Sequence, residues 1–115
     1  MRHGGQILAD QLKLHGVRRV FSVPGESFLA ALDGLYESGI ENIVCRHEGG
    51  AAMMAEAHGK MTGTPGIAFV TRGPGATNAS AGIHIARQDS TPMILFVGQI
   101  DREGAIRPEV HQRRC

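Results

Sequence analysis

Short apolar runs separated by polar, glycine-rich bends recur along this chain. Val17 to Val23 is rich in β-branched residues and is broken by Pro24-Gly25, and Ile43 to Cys45, Ile67 to Thr71 and Met93 to Val97 are further runs without polar alternation. Each reads as a strand. Between them lie segments with helical spacing. The first runs from about Gly5 to His15, with Ile7, Leu8, Ala9 and Leu12 expected on its buried side and Gly16 as a left-handed stop. The second opens at Glu26-Ser27, repeats Phe28, Leu29, Leu32, Leu35 and Tyr36 on one face, and closes at Gly39. A third follows Glu48 as far as Gly63, and a fourth is expected from Ala76 to about Arg87. Strands that alternate with helices, each strand apolar throughout, predict an α/β fold with a parallel sheet covered by helices on both faces.

The third helix is built from small residues. Gly49, Gly50, Ala51, Ala52, Ala55, Ala57 and Gly59 leave little side chain to hold a neighbour at a distance, so another element is expected to pack very close. Glu56 and Lys60 stand at i,i+4 in the favourable order and are expected on the solvent side, leaving Ala51, Ala52, Ala55 and Gly59 for the packed side. Glu48 falls in the first turn, where backbone N–H groups and the positive end of the helix dipole favour an ionised carboxylate in a largely buried place. Taken alone, an ordinary helix-terminal glutamate is the commoner reading of such a residue, and the surrounding loops must decide.

Parallel strands deliver their following loops to one rim of the sheet, where open α/β sheets bind ligands. Those loops are Pro24-Gly25-Glu26, Arg46-His47-Glu48, Thr71 to Asn78, and Gly98-Gln99. The third reads T-R-G-P-G-A-T-N, which is neither a G-x-x-x-x-G-K-[ST] phosphate loop nor a G-x-G-x-x-G fingerprint. Pro74 also removes a backbone N–H that a phosphate would use. Glycines flanking a proline instead make a rigid loop against which a flat ring can lie, with Thr71 and Asn78 as polar contacts. A plain strand-to-helix turn explains the glycines almost as well. His47-Glu48 begins like the zinc motif H-E-x-x-H, but Ala51 stands where the second histidine is needed, so no metal site is expected.

Composition narrows the class further. With 115 residues the chain is at most one domain, and a formal net charge of +1 with one Tyr and no Trp offers neither the basic field nor the stacking platform of a nucleic-acid binder. The longest apolar run, Met93 to Val97, is far too short to span a membrane, and the N-terminus lacks an apolar signal core, so a cytoplasmic location is expected. Cys45 and Cys115 have no metal spacing and make a disulfide framework improbable, Cys45 being placed like an ordinary buried strand cysteine.

Taken together, V-F-S-V-P-G-E at Val20 to Glu26, R-H-E-G-G-A-A-M-M-A-E-A-H-G at Arg46 to Gly59, T-R-G-P-G-A-T-N at Thr71 to Asn78, D-S-T-P at Asp89 to Pro92 and Gly98-Gln99 form an ordered set. That set resembles the N-terminal pyrimidine-binding domain of thiamine diphosphate enzymes, most closely the acetolactate synthase, pyruvate oxidase and benzoylformate decarboxylase group. The resemblance implies that Glu48 is the glutamate that hydrogen-bonds the aminopyrimidine ring nitrogen, favouring the imino tautomer that deprotonates the thiazolium to an ylide attacking a 2-oxo acid. By the same resemblance Pro24, Gly25, Gly75 and Asn78 lie at the pyrimidine pocket, with His47 and Gln99 near the active centre, and the loop reading above adds Thr71 to the expected cofactor contacts. It further implies thiamine diphosphate with magnesium held by a domain outside this chain, FAD as an optional cofactor of the intact parent, and a homodimer or tetramer. In that assembly a partner subunit's diphosphate-binding domain closes the site.

The sequence departs from the family at Arg72, where many synthases carry serine, and at Arg87, where relatives carry an aromatic or apolar residue. Beyond Ile100 the motifs stop, and Asp101 to Cys115 carries charges throughout without apolar periodicity. The expected division is therefore a partial pyrimidine-binding domain over 1–100 and a divergent charged tail over 101–115, as a frameshift or truncation of a longer reading frame would leave. The expected function is that of an N-terminal fragment of an acetolactate synthase-like enzyme, inactive alone. The alternatives are a standalone non-catalytic binding or interaction module with the same fold and, further off, a dinucleotide-binding piece of an oxidoreductase.

Overall fold

In a computed structural model, residues 1–102 are described, and most of the expected tail lies outside them. The β-branched run after Gly16 supplies β1, Arg19–Ser22, and the other apolar runs supply β2, Glu41–Val44, β3, Gly66–Val70, and β4, Met93–Val97. All pairings are parallel, in the order β2-β1-β3-β4. The helices are α1, Gly4–Leu14, α2, Leu29–Tyr36, α3, Glu48–Thr62, α4, Pro74–Asn78, and α5, Ser80–Gln88.

This order sends the chain from β1 to β2 in one direction and from β2 back past β1 to β3 and β4 in the other. Right-handed crossovers then put α2 and α3 on opposite faces of the sheet. The two faces have separate cores. On one, Ala9 and Leu12 of α1 and Ala31 and Leu35 of α2 pack with Val20, Ile67 and Phe69. Phe69 stacks between Phe28 and Phe96, with ring centroids 6.0 and 4.8 Å away. On the other, Ala51 and Ala55 of α3 meet Phe21 and Ala68, and Ala52 meets Val70 and Ala79. The expected doubly covered parallel sheet is therefore present.

The small residues of α3 do what their sizes require. Ala51, Ala52 and Ala55 have no exposed surface, and α5 approaches so closely that a Cβ added at Gly82 would lie 2.5 Å from that of Ala52. Glu56, however, is buried at 7% exposure, which corrects its expected solvent position. It accepts from Thr91 Oγ1 at 2.8 Å and pairs with Lys60 at 3.2 Å, and Lys60 also pairs with Asp89. The i,i+4 pair exists, but the turn before β4 covers its acidic member.

Other boundaries shift for local reasons. The second helix starts with a 3-10 turn, Glu26–Phe28, because Phe28 leaves helical geometry at φ −139° while its ring enters the core. Leu29 and Tyr36 are exposed, as is Ile7, since the apolar arcs of α1 and α2 are wider than the surface each contacts. The single helix expected from Ala76 begins at Pro74 and divides at Ala79, whose flattened ψ of −11° interrupts the helical ladder.

Candidate functional site

β1 and β3 are neighbours whose onward connections leave in opposite directions, which makes the gap between their carboxyl ends the switch point of the sheet. The loop after β1 carries Pro24, Gly25 and Ser27, and the loop after β3 carries Thr71 to Gly75. Ser27 Oγ and Thr71 Oγ1 are 2.7 Å apart and tie the two loops together. Gly25 is needed at this junction, since a Cβ there would stand 3.0 Å from that of Thr71. Gly98, just past β4, donates its N–H to Val70 at 2.8 Å and backs onto Ser27. Ser27 was not singled out by sequence, because a lone serine at a helix start reads as a cap.

Glu48 is the first residue of α3. His47 precedes it in extended geometry as the N-cap, and its Nδ1 accepts from the Gly49 N–H at 2.9 Å, so a neutral His47 ring carries its proton on Nε2. The Glu48 side chain is half-buried, less enclosed than its sequence position suggested. Asn78, the last residue of α4, donates from Nδ2 to Glu48 Oε2 at 3.0 Å. Among the described residues, Oε1 has no hydrogen-bond partner. Oε1 lies instead above Gly75, a buried residue whose added Cβ would be 3.5 Å from Oε1 and 2.9 Å from Thr71 Cγ2. Glu48, Thr71, Gly75 and Asn78 are thus brought together, with Gly25 joined to them through Thr71 and exposed Pro24 beside it on the rim.

Other expected residues stand apart. Gln99 is at the same rim but folds back, its Oε1 accepting from the Ile100 N–H at 2.9 Å. Arg72 reaches toward Glu26 at 4.0 Å, from one switch-point loop to the other; with Glu26 83% exposed, that pair contributes little. Arg87 lies near the amino end of β4, at the opposite rim, in a groove of about 470 Å³ lined also by Ile83, Ala86, Thr91, Met93 and Leu95. Cys45, just past β2, is half-buried, and burial pushes its thiol pKa up against the opposing backbone hydrogen bond from Ser22. No helix among the described residues is long and apolar enough to cross a membrane.

These features define an open, doubly wound α/β domain with a carboxylate at the switch point of its sheet and one carboxylate oxygen over a bare glycine. Residues 2–113 match the family of the thiamine pyrophosphate enzyme N-terminal TPP binding domain, and the chain belongs to that family. The matched range takes in most of the stretch from Asp101 that the motifs alone set apart. It is 41% identical over 98 residues to the acetolactate synthase isozyme 2 large subunit of Escherichia coli (strain K12), covering 85% of this chain and 18% of that protein. It is 39% identical over 109 residues to the acetolactate synthase of Bacillus subtilis (strain 168), covering 95% and 19%. With the acetolactate synthase large subunit of Lactococcus lactis the identity is 43% over 98 residues, covering 84% and 17%. The chain spans less than a fifth of the length of these relatives. It is a thiamine pyrophosphate-enzyme N-terminal domain, similar over most of its length to the N-terminal parts of these acetolactate synthases.

Proposed function

We propose that this domain forms the pyrimidine-side wall of a thiamine diphosphate site in an enzyme that acts on 2-oxo acids, and that Glu48 is its proton partner. The observation that carries this reading is Glu48 itself: Oε2 is held by Asn78 while Oε1 stands over Gly75 at the switch point. The residues suit a flat aminopyrimidine. Gly25 and Gly75 keep the wall low where side chains would fill it, and an oxygen with no partner among the described residues faces the space above. When bound, thiamine diphosphate supplies the carbon nucleophile for the 2-oxo acid.

The chain's own part is to bind the ring, orient it against the tied loops after β1 and β3, and hold or release a proton at Glu48 Oε1. The diphosphate and its magnesium belong, on this reading, to another domain, contributed by a partner subunit in a dimer or tetramer. The relatives' names support the acetolactate synthase-like assignment, and they lend nothing to a standalone module.

A direct experiment exchanges residues 1–102 for the corresponding segment of the Escherichia coli isozyme 2 large subunit. The chimera is expected to form acetolactate in a thiamine diphosphate-dependent way. A folded, assembled chimera that neither binds the cofactor nor forms acetolactate would contradict the reading.

A further inference from the structure

The carboxylate of Glu48 has two chemically equivalent oxygens, and rotation about its last side-chain bond would exchange them. Proton transfer to a ring nitrogen needs one of them held at the right place. The geometry points to Asn78 as a positioning residue that acts through Glu48: its amide holds Oε2, and so assigns proton exchange to Oε1. This rests on the reading that Glu48 faces the pyrimidine ring.

Several features converge on that assignment. Asn78 Nδ2 donates to Oε2 at 3.0 Å, and turning the carboxylate plane away from this donor would break a hydrogen bond to a charged acceptor. The backbone on both sides of the bond is fixed. Asn78 ends α4 with its carbonyl close over the start of α3, where a Cβ added at Gly49 would lie 3.3 Å from it. The Gly49 N–H is in turn held by His47 Nδ1 at 2.9 Å, so the end of α4 and the first turn of α3 form one unit around the carboxylate. The oxygen left over is the one above Gly75, where no side chain intervenes.

The chemistry is balanced within this arrangement. Loss of a proton from Oε1 would leave Glu48 as a carboxylate whose charge the Asn78 N–H would stabilise, and its return would restore the acid. An aspartate at 78 would place a second carboxylate against Glu48, and an apolar isostere would supply no donor. The role differs from a direct cofactor contact, because Asn78 would touch Glu48 and leave the ring to Oε1.

The test uses the ¹⁵N-labelled full chain without cofactor. The Asn78 side-chain amide resonance is expected to move as Glu48 is protonated, and Glu48→Gln is expected to abolish that pH response while leaving the other side-chain amides unmoved. In a ¹³C-labelled sample, Asn78→Ala should shift the Glu48 carboxyl resonance with the backbone spectrum otherwise retained. An Asn78 amide indifferent to Glu48→Gln in the folded chain would overturn the assignment, even if Asn78→Ala failed to fold. Because no cofactor is present, this outcome is separate from that of the chimera, which alone decides the cofactor reading. In a working chimera, Asn78→Ala should slow turnover about tenfold, the scale of one hydrogen bond to a charged group, with cofactor affinity unchanged. A fall in affinity at unchanged turnover would instead make Asn78 a direct cofactor contact and overturn the proposal.

Discussion

Glu56 shows how far residue-level chemistry can depart from the pattern that contains it. Its i,i+4 partner Lys60 pointed to a solvated pair, yet Thr91 caps the carboxylate from the turn before β4, and Lys60 bridges Glu56 to Asp89. Nothing in the spacing of α3 announces a hydroxyl 35 positions later. Glu56→Ala should cost about 1–3 kcal/mol, the scale of leaving a buried polar partner unsatisfied. Urea unfolding with an unchanged m-value would report it, and an unchanged midpoint would show that the network contributes nothing. The place of Glu48 in the first turn of α3 was legible from the apolar run before it and the helical pattern after it, whereas its hydrogen bond to Asn78 depends on how α4 ends. Cys45 offers a pH test. Burial raises its thiol pKa above the ordinary 9.0, so the unfolded chain loses that proton first as pH rises. Its contribution to stability is therefore complete below that value and declines above it, toward the folded-state pKa. In a Cys115→Ser background, alkylation of Cys45 at pH 8 should be slower in the folded chain than in urea, and equal rates would contradict the burial effect.

At the scale of elements, α3 is the spacer on which the site depends. Its alanines let α5 and the sheet approach, which brings α4 and Asn78 against Glu48. Two glycine substitutions separate propensity from packing. Gly82→Ala puts a Cβ 2.5 Å from that of Ala52, and overpacking of this kind typically costs about 1–3 kcal/mol. Gly50→Ala meets nothing within 4 Å and should stabilise the helix by about 0.5–1 kcal/mol. Thermal or urea unfolding of the two variants should move in opposite directions, and a tolerated Gly82→Ala would mean that α3 and α5 can separate freely. Helices and strands were readable because their apolar periods are strong and their breaks are marked by glycine and proline. The division at Ala79 was not readable, since no residue there is a helix breaker and the interruption comes from a change of path between α4 and α5. The exposure of Leu29 and Tyr36 was hidden for a similar reason: the period marks a face, and its partner decides how much of that face is covered.

For the whole molecule, parallel topology follows from strands that are apolar without alternation, and the switch point follows from the order in which they pair. What topology does not supply is a second wall. On the proposed reading Glu48 and its neighbours form only one wall of the cofactor site, and the chain spans less than a fifth of its relatives, so calorimetry on the chain alone should find thiamine diphosphate binding weak or absent. Tight, magnesium-dependent binding by the chain itself would favour an independent module. The central claim, that Glu48 is the proton partner of the cofactor, is tested most directly by hydrogen–deuterium exchange at the thiazolium carbon in the chimera. Glu48→Gln keeps a hydrogen-bonding group but loses the titrating carboxyl, and exchange should fall by ~10²–10⁴-fold, the usual contribution of a positioned acid or base. Exchange at the unmutated rate in the Glu48→Gln chimera would contradict the account.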